Sequence, residues 1–308
     1  MYPERCAKLA GSTGSAMPLV ALGTWRGSYK DCSNNNYTCV RQRAKSAVSS
    51  WIELDGTHID TANDYRTQVE VGEAVTSSGR QRSELFLTTK CPGPMGFLAT
   101  IQCAEDNLQM LGQYGVTTGY LDLLLIHFPF IIKPECYGSP STEECKMPYV
   151  DPGDEARLET WRAMELLQRQ GRARAIGLSD YNATQLAHTI ANAKQPVAVH
   201  QVEWHPLQHD EEMAALCRAH GVQLQAWSPL GGAAGSVLSL PAVKAIAAAH
   251  GVSTAQVVLK WSLQRGVAVV TGTDNKEHMA SDLDLWSFKL SEADLGVISS
   301  LHTQQQAM

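Results

Sequence analysis

Short apolar runs alternate with longer amphipathic segments along most of the chain. Eight runs fit buried strands, at residues 19–24, 57–60, 85–90, 121–127, 175–179, 199–203, 223–228 and 267–271. Between them, apolar residues recur at helical spacing in segments such as 157–170, 211–219, 241–250 and 254–265. Strands that alternate with helices form parallel sheets, and eight such units close on themselves. The pattern therefore predicts an α/β protein with a (β/α)8 TIM barrel.

The size and charge of the chain restrict the kinds of protein it can be. It has 308 residues with 44% hydrophobic content, and barrels of about 200 to 400 residues commonly form one domain, so we expect a single domain over residues 1–308. The formal net charge is −6 and the Lys and Arg residues are scattered, which argues against nucleic acid as a partner. No run approaches the roughly 18 apolar residues of a membrane span, and the first residues lack a secretory signal. We expect a cytoplasmic protein with no membrane partner.

Two long segments interrupt the alternation, and both follow predicted strands. Residues 28–38 are polar and rich in asparagine, whereas residues 130–152 are rich in Pro, Gly and Cys. Loops of this length in a compact domain are usually functional or disordered. We expect them to wall a substrate pocket, with mobile surface insertions as the alternative. The polar residues 302–308 are expected to fray.

The eight cysteines include no C-x-x-C pair. Cys32 lies near Cys39 in sequence, and Cys136 near Cys145, which leaves disulfides or a metal site open. For a cytosolic chain we favour reduced, isolated thiols and no metal.

Polar residues stand where three successive predicted strands end. Asp60, Lys90 and His127 close their strands, and Tyr65 follows Asp60 in the next loop. In a parallel barrel the C-terminal strand ends converge on one rim, which carries the catalytic residues. We therefore expect the four side chains to meet.

Together these four side chains can reduce a carbonyl group. Tyr65 can give a proton to the carbonyl oxygen, and a nearby Lys90 ammonium would lower the phenol pKa from about 10 towards neutral pH. Asp60 can balance the charge of a buried Lys90, and His127 can orient the carbonyl. Each residue alone also has an ordinary structural explanation, such as a helix cap, a satisfied aromatic residue or a surface charge. Their joint placement favours an oxidoreductase.

At these positions the chain resembles the aldo-keto reductase superfamily, over about residues 17 to 300. The similar blocks occur in the family's order: Leu22-Gly23-Thr24-Trp25, His58-Ile59-Asp60-Thr61-Ala62 with Tyr65 and Glu70-Val71-Gly72, Thr89-Lys90, Asp122-Leu123-Leu124-Leu125-Ile126-His127, Gly177-Leu178-Ser179, Gln201-Val202-Glu203-Trp204-His205-Pro206 and Trp227-Ser228-Pro229-Leu230-Gly231.

The resemblance implies an NAD(P)H-dependent reductase of small aldehydes or ketones, with Tyr65 as general acid and the other three residues as its partners. It also implies residues that bind the cofactor, namely Thr24, Trp25, Ser179, Asp180, Gln201, Trp227, Ser228, Leu230, Gly272, Thr273, His278 and Asp282. Trp227 would stack on the nicotinamide, and Ser179, Asp180 and Gln201 would hold its carboxamide. Trp25, Phe128 and Phe130 would contact the substrate. Many relatives are monomers, so we expect a monomer, with a dimer as the alternative.

Several positions depart from the family pattern. Asp180 replaces the usual asparagine, Trp227 replaces a tyrosine, and the tail is short, which suggests an open pocket. Gly272 and His278 stand where members that prefer NADPH have Lys and Arg against the 2′-phosphate. NADP(H) is the expected cofactor, and the lost contacts make NAD(H) plausible. We expect Asp274 to cap the last helix or to add negative charge, and Lys276 to compensate in part.

Another departure lies in the loop at residues 231–236, which lacks the acidic residue that helps some relatives to close over the cofactor, so we expect a loose clasp.

Two other functions remain open at this point. A cofactor-binding barrel can act as a regulatory scaffold, as the potassium-channel β subunits of this superfamily do. Alternatively, the enzyme can work mainly as an alcohol dehydrogenase, because a carboxylate at Asp180 would favour the cationic oxidised nicotinamide.

Overall fold

A closed barrel of parallel strands forms the centre of the protein. The computed structural model describes residues 5–14, 16–25, 32, 36–113, 119–133, 149–232 and 237–302. Within them, the barrel strands are β3 (Val20–Gly23), β4 (His58–Asp60), β5 (Phe86–Cys91), β6 (Leu121–Ile126), β9 (Ala173–Ser179), β10 (Val199–Glu203), β11 (Gln223–Trp227) and β12 (Ala268–Thr271). They follow one another around the barrel in this order, and β12 pairs with β3 to close it. The predicted (β/α)8 barrel is confirmed.

A short antiparallel hairpin precedes the barrel. Its strands are β1 (Cys6–Ala7) and β2 (Met17–Pro18), and β2 leads directly into β3. Leu9 and Met17 pack with the apolar residues that fill the barrel, including Phe86. The hairpin therefore covers the N-terminal end of the barrel, and the C-terminal rim is the end left for a site.

Helices surround the barrel and cover the outer faces of its strands. They are α1 (Tyr37–Glu53), α2 (Gln68–Ser77), α3 (Phe97–Met110), α4 (Gly153–Arg169), α5 (Ala183–Asn192), α6 (Glu211–Ala219), α7 (Pro241–His250), α8 (Thr254–Gln264), α9 (Lys276–Leu283) and α10 (Glu292–Ser299). Large side chains such as Trp51, Trp161 and Trp261 are buried in the layer between helices and strands. Burial of this apolar layer is the main source of the barrel's stability.

Some element ends differ from the prediction by a few residues. The predicted helix at 157–170 begins earlier, at Gly153, because Asp154 and Glu155 occupy its first turn, where acidic side chains suit the helix dipole. Apolar periodicity does not detect such a turn. Strand β5 continues one residue beyond Lys90, and β6 ends at Ile126, so that His127 is the first residue after its strand.

The predicted rim loops and tail are described in part. The ends of the 130–152 segment pair as the strands β7 (Ile131–Ile132) and β8 (Tyr149–Val150), while residues 134–148 lie outside the described residues. Most of 28–38 and of the loop at 231–236 also lies outside them, as do residues 303–308. At His302, the last described residue, the ring Nδ1 lies 2.8 Å from the Leu207 carbonyl oxygen.

The expectation of reduced, isolated thiols is wrong for four cysteines. Cys32 is bonded to Cys39, and Cys91 is bonded to Cys103. The second pair forms because α3 packs on β5 and brings their Cα atoms to 6.0 Å, a contact that the sequence separation of 12 does not reveal. Cys136 and Cys145 lie outside the described residues.

Each helix of the described residues is by itself too short or too polar to cross a bilayer. Helices α7 and α8 would reach the length and composition of a membrane span only as a pair bent by 90°.

Two glycines give a test of how the helices pack on one another. A Cβ on Gly72 in α2 would lie 2.7 Å from the backbone carbonyl carbon of Leu111, which follows α3, whereas a Cβ on Gly296 in α10 would meet nothing within 4 Å. We expect Gly72→Ala to lower the free energy of unfolding by about 1–3 kcal/mol, because backbone atoms cannot easily yield.

Gly296→Ala is the matched control for the effect of alanine on helix propensity. It should raise the free energy of unfolding by roughly 0.5–1 kcal/mol. Urea denaturation of both variants measures the difference. Equal effects of the two substitutions would show that α2 does not pack on the end of α3 as described.

Candidate active site

The C-terminal ends of three neighbouring strands bring the predicted polar residues together. Asp60 ends β4, Lys90 is the next-to-last residue of β5, and His127 directly follows β6. Tyr65 ends a turn of 3-10 helix, Asn63–Tyr65, that follows β4. Because β4, β5 and β6 are adjacent in the barrel, the four side chains meet at its rim, as predicted.

The Lys90 ammonium is fully buried and makes three hydrogen bonds. Its Nζ donates to Asp60 Oδ1 at 2.5 Å, to the Thr61 carbonyl oxygen at 3.1 Å and to Tyr65 Oη at 3.3 Å. An ammonium has three hydrogens, so none is left for another partner. Tyr65 accepts in this bond, which leaves its own hydroxyl proton available for a molecule in the barrel mouth.

Burial and charge oppose each other at these two groups. Burial would lower the pKa of Lys90, but the Asp60 carboxylate and the Tyr65 oxygen raise it well above its ordinary value. Burial raises the pKa of Tyr65 to about 12, although Lys90 lowers it. The expectation that Lys90 brings the Tyr65 pKa towards neutral is wrong for the protein alone, because burial outweighs the ammonium. Tyr65 therefore remains a protonated phenol at neutral pH.

His127 faces Tyr65 and pairs with a carboxylate that the sequence analysis missed. The two rings are edge to face, with centroids 5.4 Å apart. His127 Nδ1 lies 2.9 Å from Oδ1 of Asp64, the residue before Tyr65. Partial burial would raise the pKa of Asp64, but the hydrogen bond and charge of His127, with Lys90, hold it below its ordinary value. The position of Asp64, an acidic residue between the end of β4 and Tyr65, was the feature of the sequence that could have indicated this pair.

A buried amide network supports the tyrosine turn from behind. Asn107 Oδ1, on α3, accepts from Asn63 Nδ2 and from Gln68 Nε2, both at 2.8 Å. Thr89 donates to Gln68 Oε1 at 2.5 Å, next to Lys90 in the chain. These bonds tie the turn that carries Tyr65 to the strand that carries Lys90.

The residues expected to bind the nicotinamide lie on the next strands around the barrel. Ser179 ends β9, Gln201 lies in β10 and Trp227 ends β11. Gln201 Nε2 donates to Asp60 Oδ2 and to Gln225 Oε1, both at 2.8 Å. Both hydrogens of the amide are thereby used, so its carbonyl oxygen is the atom that could accept from a carboxamide.

Asp180 has a hydrogen-bond partner within the protein. Its Oδ1 accepts from Trp227 Nε1 at 2.8 Å, and its backbone is left-handed at φ 59°. Desolvation at the barrel mouth raises the pKa of Asp180, opposed by the Trp227 hydrogen bond. The carboxylate therefore fixes the edge of the indole that is expected to stack on the nicotinamide.

The backbone after β11 and the residues near β3 complete the mouth. Ser228, Gly231 and Gly232 all have positive φ, at 49°, 85° and 53°. A Cβ on Gly231 would lie 2.8 Å from Val237 Cγ2, so only glycine fits this tight chain path. Successive left-handed residues present backbone N–H groups in a concavity that suits anions, which fits a pyrophosphate. Leu230 is partly buried against the core, and Thr24 donates to the Asp60 carbonyl oxygen at 3.1 Å.

The residues expected at the adenosine end of a cofactor divide into exposed and buried ones. Gly272 and His278 are exposed and Thr273 is half-buried beside them. Asp282 is buried and accepts from Thr271 Oγ1 at 2.7 Å, so one of its carboxylate oxygens already has a partner within the protein. Burial raises the pKa of Asp282 to about 6, opposed by that hydrogen bond.

The charges near this loop are paired. Asn275, and not Asp274, caps α9, accepting from the backbone N–H of His278 at 3.0 Å. Asp274 instead lies 2.6 Å from Arg43 Nε on α1. Lys276 Nζ lies 2.7 Å from a Glu53 carboxylate oxygen, so its charge is offset within the protein.

Aromatic rings line one side of the barrel mouth. His127 stacks on Phe128 with centroids 5.2 Å apart, Phe128 on Phe130 at 4.6 Å, and Phe130 contacts Tyr149 at 4.1 Å. Trp25 is 50% exposed after β3. The three residues expected to contact substrate therefore lie near the end of β3 and after β6.

Comparison with known proteins agrees with this geometry. The aldo/keto reductase family model matches residues 19–302. An aldo-keto reductase from Mycolicibacterium smegmatis is 33% identical and covers 94% of this chain and 91% of its own. Morphine 6-dehydrogenase from Pseudomonas putida is 31% identical, covering 95% and 90%. A Bombyx mori aldo-keto reductase solved in complex with NADP superposes with a TM-score of 0.80 at 30% identity, covering 96% and 93%.

The barrel, the order of the sequence blocks and the relatives along nearly the whole chain point to one conclusion. The protein belongs to the aldo/keto reductase family and is an NAD(P)H-dependent oxidoreductase.

Proposed function

We propose that the protein reduces an aldehyde or ketone to an alcohol, with NADP(H) as cofactor and Tyr65 as the proton donor. One observation carries the proposal: the Lys90 Nζ donates to Tyr65 Oη at 3.3 Å and is held by Asp60 at 2.5 Å. Tyr65 is thus an acceptor towards the protein and a donor towards the barrel mouth. A donor of this kind is what a carbonyl oxygen needs as it becomes an alkoxide.

In this mechanism the bound nicotinamide supplies the hydride, and the protein handles the proton. His127 and Tyr65 hold the carbonyl oxygen between them. As negative charge grows on that oxygen, Tyr65 transfers its proton, and the adjacent Lys90 ammonium stabilises the phenolate that remains. A Tyr65 pKa of about 12 keeps the proton in place until the alkoxide is basic enough to take it.

The cofactor residues of the proposal are those whose geometry suits it. Trp227, fixed by Asp180, offers a stacking surface, and Gln201 offers a carbonyl oxygen to a carboxamide. The concave backbone at Ser228, Gly231 and Gly232 would take the pyrophosphate. With Gly272 and His278 at the adenosine end, NADH use is plausible beside NADPH.

A mainly oxidative direction is a second candidate function. Asp180 accepts from the Trp227 indole, and if Trp227 stacks on the nicotinamide as proposed, the charge of this carboxylate would favour a cationic ring over a neutral one. The relative from Pseudomonas putida is named a dehydrogenase. Assays in both directions at equal pH decide between the two directions.

Further expectations extend the proposal. We propose a monomer that acts as a single domain on a small carbonyl compound. The expected cytoplasmic location stays a prediction, and the disulfides Cys32–Cys39 and Cys91–Cys103 are the observation that opposes it, since such bonds persist mainly in oxidising compartments.

Replacement of the proton donor tests the mechanism. Tyr65→Phe should reduce kcat for carbonyl reduction by about 10²-fold or more, because positioned acid catalysis contributes on that order. Binding of NADPH, measured by protein fluorescence quenching, should be unchanged. Turnover close to wild type over a panel of aldehydes and ketones would mean that another group gives the proton.

Restoring the missing charges tests the cofactor preference. We expect kcat/KM with NADPH to exceed that with NADH by less than about tenfold in the wild type, because a charge-assisted contact is worth about 1.5–3 kcal/mol and two are lost. The double variant Gly272→Lys, His278→Arg should raise the NADPH/NADH ratio by at least about tenfold.

Gly296→Lys adds a cation on the exposed side of α10 and serves as the control, because its added side chain has open space. It should leave the ratio unchanged. A large NADPH advantage in the wild type, with no gain in the double variant, would show that other residues bind the 2′-phosphate.

A further inference from the structure

We propose that Asp64 is a positioning residue that fixes the tautomer of His127, so that His127 can donate a hydrogen bond to substrate only as the imidazolium cation. The effect on catalysis rests on the proposed carbonyl reduction, whereas the tautomer of His127 is a property of the protein without substrate. It gives the substrate oxygen a second hydrogen-bond donor beside Tyr65, which remains the group that transfers the proton.

The geometry of the pair assigns the hydrogen on the ring. His127 Nδ1 lies 2.9 Å from Asp64 Oδ1, and an ionised carboxylate can only accept. The hydrogen of this bond must therefore sit on Nδ1. In a neutral ring Nε2 then carries no hydrogen and can only accept, whereas in the cation both nitrogens donate.

Within the described residues, Nδ1 is the nitrogen of the His127 ring that has a polar partner, and aromatic rings contact the rest of the imidazole. Tyr65 is edge to face with the ring, and Phe128 stacks on it with centroids 5.2 Å apart. His127 and Asp64 are both partly accessible, with 14% and 29% of their side chains exposed. The ring is thus clamped by two aromatic residues and one carboxylate, next to the proposed proton donor.

The charged groups around His127 come from three elements. Asp64 belongs to the 3-10 turn after β4, Lys90 to β5, and Asp180 follows β9 and interacts electrostatically with both His127 and Lys90. Glu203, in β10, acts on Asp180. Two carboxylates, Asp64 and Asp180, therefore act directly on the imidazole, and the Lys90 ammonium is balanced by Asp60 at 2.5 Å.

The consequence concerns the hydrogen bond to the substrate oxygen. Tyr65 gives the single proton in reduction, and a second hydrogen bond to the same oxygen needs a donor at Nε2, which only the cation has. Reduction is therefore expected to weaken as pH rises. Oxidation passes through the same transition state in reverse, with the Tyr65 phenolate as the base and Nε2 again as the hydrogen-bond donor.

Nitrogen NMR of the protein without substrate tests the tautomer directly. In protein labelled with 15N-histidine, the His127 signals are assigned by their loss in His127→Gln. At a pH where the ring is neutral, we expect the Nδ1–H form in the wild type and in Asp64→Glu, and a shift to the Nε2–H form in Asp64→Leu. An Nε2–H form in the wild type overturns the proposal.

Kinetics test the consequence. Reductive kcat/KM of the wild type should fall as pH rises, because the neutral ring with its hydrogen on Nδ1 cannot donate from Nε2. In Asp64→Asn the neutral ring can take the Nε2–H form, so the variant/wild-type ratio should rise with pH. A ratio that stays constant with pH overturns the proposal, because a merely structural role would lower activity equally at all pH values.

A matched control variant shows whether the loss of a carboxylate charge elsewhere has the same effect, and the NMR experiment does not depend on turnover. Asp106→Asn removes the same charge on α3, where the carboxylate accepts from Gln102 at 2.8 Å, and should leave the profile unchanged. Absence of turnover by the wild type on every carbonyl compound would contradict the proposed function, while the NMR result would still decide the tautomer.

Discussion

The ion pair between Lys90 and Asp60 is the constraint on which the rest of the site depends. Both groups are almost fully buried, and a charge in that position is stable only when it is paired and hydrogen-bonded. Removing one partner of such a pair typically costs about 3–5 kcal/mol. Lys90 therefore needs Asp60, Asp60 needs Gln201 on its other oxygen, and Tyr65 completes the ammonium's third hydrogen bond.

The parts of the structure that follow from strand periodicity could be predicted from the sequence. Each barrel strand is an apolar run, and a parallel barrel places every strand end on one rim, so Asp60, Lys90 and His127 had to meet once the runs were recognised. Strand periodicity could not predict whether burial or the Lys90 charge has the larger effect on the pKa of Tyr65. Sequence shows that Lys90 lies near Tyr65, but the pKa of about 12 depends on how much water the fold excludes, which is a property of the packed structure.

Contacts made by side chains across elements were not predictable in the same way. The bond between Cys91 and Cys103 depends on how α3 rotates against β5. The burial of Asp282 depends on the path of α9 across Thr271, which the sequence of α9 alone does not reveal. Asp64 was missed because its role needs the position of His127, 63 residues away. Hydrophobic periodicity and sequence motifs describe one helix or strand at a time, whereas these contacts depend on how two elements pack together.

The hairpin of β1 and β2 has a practical consequence for handling the protein. Because Met17 and Leu9 close the barrel at the end opposite the rim, a support attached at the hairpin would hold the molecule with its mouth turned to solution. Small molecules would then reach the rim by diffusion without crossing the attachment layer. Protein coupled to an electrode or resin in this orientation should keep its catalytic activity. Coupling through β7 and β8, which lie beside the rim, would block access to the barrel mouth.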